Sequence, residues 1–147
     1  MGIERNKDLV RRFLDECVLG GQADVLEEIV SPDVVNHAAA PGRQHGIEGI
    51  KAVIGFSRQA QPDQRWAEQH VVAEGDLVIV YGVREGTWQG KSFRGVDTPS
   101  GRRVSVELAH MFRIEDGKIA EHWAVRDDFG MFQQLGVAPA PSTAQTT

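Results

Sequence analysis

A chain of 147 residues, 41% hydrophobic and 25% charged, has the balance of one soluble globular domain that can bury a core without covalent staples. A formal net charge of -5 argues against a nucleic-acid surface, and the basic doublets Arg11-Arg12 and Arg102-Arg103 read as solvated faces. The lone Cys17 excludes an intrachain disulfide framework or a cysteine-based metal site. No stretch approaches the roughly 20 apolar residues of a membrane span. The charged N-terminus lacks the apolar run of a secretory signal, so a cytoplasmic protein without membrane partners is expected.

In chain order, apolar residues at Leu9, Val10, Phe13, Leu14, Cys17 and Val18 predict an amphipathic helix from Ile3 to Leu19, ended by Gly20-Gly21. A shorter helix over about 23–30 stops at Ser31-Pro32-Asp33, and Val34 to His37 reads as a short strand entering a loop. A third helix over about 46–58 turns Ile47, Ile50, Val53 and Ile54 inward. The period then changes to two. Arg65–Glu74 and Leu77–Trp88 alternate around the turn Gly75-Asp76, which places His70 opposite Tyr81, Val72 opposite Ile79, Glu68 opposite Val83 and Trp66 opposite Glu85.

After a loop over 89–102, Val104–Ile114 and Lys118–Asp127 flank Asp116-Gly117, a strong hairpin signal. A simple two-residue turn pairs Ile114 with Ile119, Phe112 with Glu121, His110 with Trp123, Leu108 with Val125 and Val106 with Asp127. Ile119, Glu121, Trp123, Val125 and Asp127 then share one apolar face with His110, an unusual setting for two carboxylates. A short helix over 128–135, capped by Gly136, closes a domain spanning 1–137. Residues 138–147, rich in Ala, Pro, Ser and Thr, predict a disordered tail. Helices followed by long antiparallel strands make an α+β fold: a curved antiparallel sheet wrapped on the N-terminal helices, with a cavity between them.

Several motifs then carry a family resemblance: Asn6-Lys7, Val35-Asn36-His37, His45-Gly46-Ile47-Glu48-Gly49, Glu74-Gly75-Asp76, Gly86-Thr87-Trp88-Gln89-Gly90, Thr98-Pro99-Ser100-Gly101, and the run from Asp116 through Glu121-His122-Trp123 to Asp127 and Gln134-Leu135-Gly136. Together, over 6–136, they resemble the SnoaL-like polyketide cyclases of the cone-shaped fold named after nuclear transport factor two. The resemblance implies a cone-shaped α+β barrel, a homodimer or homotetramer, and catalysis with no cofactor. It further implies that Asp127, by its place after Glu-His-Trp, is the general acid/base of an intramolecular aldol closure on a bulky aromatic polyketide. Asn36, His37 and His110 match residues that line or assist the pocket. One departure is Trp88, where many relatives carry histidine.

Each candidate has a plainer reading. Asp127 could simply cap the terminal helix, with Asp128 facing in instead. His110 is weighed equally as an assisting catalyst and as a satisfied core histidine, about 13 Å from Asp127 at normal strand rise. Tyr81, Trp66, Trp88, Phe112 and Trp123 could stack on a flat ligand or merely fill core. Glu121 is the second candidate acid. The histidines show no metal-ligand spacing, so no metal is expected. Other readings of the same cone are hydroxylation-type tailoring of an anthracycline skeleton, isomerisation, epoxide hydrolysis, or a dimeric ligand-binding module without catalysis.

Overall fold

The computed structural model describes residues 2–91 and 96–138. The expected tail therefore falls, but for Ala138, outside the described residues. Helix α1 (Gly2–Arg12) runs on as a π-helical segment (Phe13–Leu19), followed by α2 (Ala23–Ile29), β1 (Val30–Asn36), α3 (Ile47–Ala60), β2 (Arg65–Glu74), β3 (Leu77–Gln89), β4 (Ser100–Glu115), β5 (Lys118–Arg126) and α4 (Asp128–Leu135). The π-helical turn has a consequence for the interior. Its hydrogen bonds span five residues, so positions five apart lie near one another, and Phe13 and Val18 both reach the cavity described below.

The five strands form one sheet in the order β1-β5-β4-β3-β2. All neighbours are antiparallel except β1, which pairs with β5 in parallel and joins Asn36 to His122. The sheet curves without closing into a barrel, leaving β1 and β2 as its edges. The α1 face packs on β2 and β3, and α3 on β1 and β3. One core cluster forms between them around Val10, Leu14, Leu26, Val78, Val80, Phe112 and Ile119, and a second under α4 around Trp88, Val104, Leu108, Met131 and Leu135. No helix among the described residues is long and apolar enough to cross a membrane.

Both hairpin turns form as their sequences predict, with positive φ at Gly75 and at Asp116 and Gly117. His70↔Tyr81, Val72↔Ile79 and Glu68↔Val83 pair as expected, but a bulge moves Trp66 opposite Arg84 instead of Glu85. The larger correction is in β5. Ile114 pairs with Ile119, yet Arg113 already pairs with Glu121, so Ala120 is an extra residue and both Ile119 and Ala120 are buried. From there every partner is displaced by one: Phe112 meets His122, Met111 meets Trp123, His110 meets Ala124 and Leu108 meets Arg126. A shift of one residue exchanges the faces of a strand. Glu121, Trp123 and Val125 therefore turn to the outer face, and His122, Ala124 and Arg126 turn inward.

The bulge in β2 depends on Gly82 of β3. A Cβ there would lie 2.0 Å from the Glu68 carbonyl oxygen and 3.0 Å from the Trp66 ring. Gly82→Ala is expected to cost about 1–3 kcal/mol in urea unfolding, because backbone rather than a flexible side chain must give way.

Candidate active site

The inner sheet face, the π-helical segment and α3 enclose a cavity of about 760 Å³, part of it open to solvent. A second lobe lies toward α4, and the two lobes share Val53, Ser57, Arg84 and Arg126. The floor is apolar through Phe112, Ile119 and Ala124, and its polar groups are Asn36, His110, His122, Arg84 and Arg126.

Three of these groups form a chain. Asn36 is only 6% exposed, and its Oδ1 accepts the backbone N–H of Ala38 at 3.1 Å. That bond fixes the amide orientation, so His122 Nδ1, 2.8 Å from the same oxygen, carries the proton and donates it. His122 Nε2 is then a bare acceptor for His110 Nδ1–H at 2.9 Å. His110 Nε2 is left with a lone pair, sealed from water and without a partner. The two imidazoles overlap at 5.1 Å between centroids, with Phe112 stacked against both. Burial above all holds both rings neutral: His110 falls well below the usual histidine value, and His122 falls to about 4, with Arg126 contributing in each case.

Arg84 reaches the same cavity from β3 and lies over the Trp66 ring, 5.5 Å from its centre. Burial and the like charge of Arg126 lower its guanidinium to about 10. Arg126 pairs with Asp128 at 3.4 Å, and Asp128 lines the α4 lobe.

The structure brings Asn36, His110, Phe112 and Trp66 together, as the sequence suggests, and places Trp88 in the α4 lobe. Trp88 is 2% exposed and donates from Nε1 to Lys91 O at 3.1 Å. The remaining candidates stand elsewhere. Asp127 is exposed at the N-cap of α4, where its Oδ1 accepts Gly130 N–H at 2.9 Å. Its expected place on the cavity face is corrected by the Ala120 bulge and by the helix it caps, while Asp128 takes the inward position. Glu121 is likewise on the outer face, bonded to His37 Nε2 at 2.7 Å and Arg113 Nε at 2.8 Å. Those two bonds, His37 first, hold its carboxyl below the usual range. His37 also stacks on Trp123 at 4.8 Å, so this trio forms an outer cluster rather than a cavity wall. Tyr81 is on the outer face too, donating to Glu107 Oε2 at 2.6 Å.

His122, Arg84 and Arg126 were not singled out by sequence reasoning. In unbroken alternation His122 and Arg126 face away from the apolar wall, and only the bulge in β5 tells otherwise; Arg84 shares the face of Val78 and Val80 by plain alternation and lies opposite Val106. Among the described residues no three His, Cys, Asp or Glu side chains converge as metal ligands.

Comparison with known proteins bears on this cavity. The family description SnoaL-like polyketide cyclase matches residues 8–135. Nogalonic acid methyl ester cyclase of Streptomyces nogalater is 35% identical over 121 residues, covering 79% of this chain and 87% of the relative. Aklanonic acid methyl ester cyclase DnrD of Streptomyces peucetius is 30% identical over 138 residues, covering 88% and 89%. The structure of TsrD from Streptomyces laurentii is similar with a TM-score of 0.79 at 30% identity, over 91% of this chain and 96% of that one.

The neutral imidazoles make stability depend on pH. Between the free histidine value near 6.5 and the folded value near 4, the unfolded chain binds more protons than the folded one. Stability is therefore expected to fall as pH drops through that window, by up to about 1.4 kcal/mol per pH unit for each histidine. Urea unfolding between pH 7 and 4.5 checks this. His122→Phe should flatten the dependence, and a profile unaffected by that change would contradict the neutral pair.

Proposed function

As the chain belongs to the SnoaL-like polyketide cyclase family, we propose that it closes a carbocycle by an intramolecular aldol reaction on an aromatic polyketide, without a cofactor, using the paired histidines as acid and base. The observation carrying this reading is the unpartnered lone pair of His110 Nε2 at the end of the Asn36–His122–His110 chain.

Aldol closure needs one proton removed from the carbon beside a ketone and one delivered to the oxygen of the attacked carbonyl. His110 Nε2 takes the first proton, and the imidazolium that forms is held by its Nδ1–H bond to His122 Nε2. The enolate carbon attacks the second carbonyl, already close because the cavity folds the chain onto itself. The same Nε2–H then protonates the new alkoxide, which restores His110. Proton and electron counts balance, and no outside reductant or oxidant enters. Arg84 and Arg126 stabilise the intermediate oxyanions electrostatically. The methyl of Ala124 opposite His110 leaves the space in which the reacting carbons sit.

Asp127 has a different part in this reading, since its carboxylate holds the first turn of α4. His110→Phe is expected to lower turnover of an anthracycline-type precursor, offered as the free acid and as the methyl ester, by at least about 100-fold. Asp127→Asn, which keeps an N-capping side chain, is expected to stay within a few-fold of the parent. The opposite ranking would return the acid/base role to Asp127.

The homo-oligomer expected from the resemblance is part of the proposal. It is supported by apolar groups on the outer sheet face: Val72, Ile79, Tyr81 and Val125, the last 71% exposed. Light scattering is expected to report a dimer or tetramer for the parent and monomers for Val125→Glu, and a parent that runs as a monomer would refute the assembly.

A further inference from the structure

We propose that the cavity selects a substrate bearing a free carboxylate, which docks on the Arg84 guanidinium with Arg126 as a second cation. The identity of the reaction rests on the ring-closing reading above, whereas the anion site does not.

Arg84 is the observation to be explained. It is a half-buried cation lining the cavity, and among the described residues it has no carboxylate partner and no side-chain hydrogen bond; its neighbour is the face of Trp66. A buried charge held only by a ring face is costly, and proteins ordinarily pair or eliminate it. The surroundings make the absence pointed. The lobe containing the two histidines is lined by no aspartate or glutamate, while both arginines line it. The Asp128 carboxylate lines the α4 lobe, where it lies 3.4 Å from Arg126 Nε. With both imidazoles neutral, the charges lining this lobe are Arg84 and Arg126, and among the described residues only Arg126 of the two has a carboxylate beside it, that of Asp128.

Guanidinium matches carboxylate through two parallel N–H···O bonds, and a methyl ester offers neither the charge nor the second free oxygen. The relatives are cyclases of methyl esters by name. This chain would therefore differ from them in taking the acid itself. The difference also bears on the histidines. A carboxylate within the lobe offsets the positive field of Arg84 and Arg126 that helps hold His110 neutral. The base consequently gains proton affinity when the substrate arrives and not before.

The test uses the full chain and two probes, anthraquinone-2-carboxylate and its methyl ester, with binding measured by calorimetry at pH 7.5. The parent is expected to bind the acid at least about tenfold more tightly than the ester. Arg84→Met is expected to abolish that preference while leaving Tm unchanged or higher, since it removes a cation without a partner, and Arg84→Lys should keep part of the preference. Equal binding of the two probes by the parent, including none by either, would overturn the proposal. So would a preference that survives in Arg84→Met, or a lowered Tm in that variant, which would mark Arg84 as a structural cation. Turnover is measured separately. Acid preference without ring closure would sink only the reaction, and ring closure without acid preference would sink only the anion site.

Discussion

One extra residue in β5 decides which side chains this protein shows to its interior. Because side chains alternate along a strand, inserting Ala120 against β4 reverses the assignment of everything that follows. Glu121 and Trp123 leave the cavity and join His37 outside, while His122, Ala124 and Arg126 enter it. The same bulge sets His122 beside Asn36 on the parallel neighbour β1, where His37 N–H donates to the His122 carbonyl at 2.8 Å. The hydrogen-bonded chain of Asn36, His122 and His110 thus depends on a backbone irregularity before it depends on any side chain.

The bulge also determines the electrostatic character of the cavity. In unbroken alternation the wall would carry carboxylates at Glu121 and Asp127. Instead it carries two imidazoles and an arginine, with Arg84 added from β3. Carboxylates in such an apolar space would be pushed toward the protonated form, whereas imidazoles are pushed toward the neutral one. A neutral imidazole keeps an acceptor lone pair over the whole physiological range, although burial weakens this pair as bases. Outside, Glu121 is held by its ion pair with Arg113 and its bond to His37 Nε2, and Asp127 by the Gly130 N–H.

How much of this was legible in the sequence follows from the range of each signal. Helix stripes, the turns at Gly75-Asp76 and Asp116-Gly117, and the α4 cap at Gly136 are local, and all appear where the residues place them. His110 and Phe112 were legible as cavity residues because both lie on the unbroken alternating run of β4, and Asn36 through the family motif Val35-Asn36-His37. Ala120 was not legible. Ile119-Ala120-Glu121 continues a β pattern in either register, and the choice is made by tertiary contacts: both Ile119 and Ala120 gain burial, and Glu121 gains His37 and Arg113 as partners. Asp127 illustrates the same limit. Its two readings, cavity base and helix cap, differ by the direction of a single side chain at a strand end, and Gly130 N–H is what draws the carboxylate to the cap.

The family resemblance and the register pull in different directions over Asp127: the first implies a cavity base, the second places its carboxylate at the exposed N-cap of α4. A general base must meet its substrate inside a pocket that excludes water, and Asp127 is exposed at a helix start on which α4 depends. In the proposed reaction the base is His110, which lines the cavity and whose Nε2 has no partner among the described residues, and His122 Nε2 accepts the Nδ1–H of the imidazolium that forms. What the pair lacks on its own is driving force, because burial and two nearby cations oppose protonation. An anionic group bound among those cations is the natural remedy. Such a group would offset the arginine part of the penalty and leave the larger part from burial, coupling occupation of the proposed anion site to the basicity of His110 on the adjacent strand.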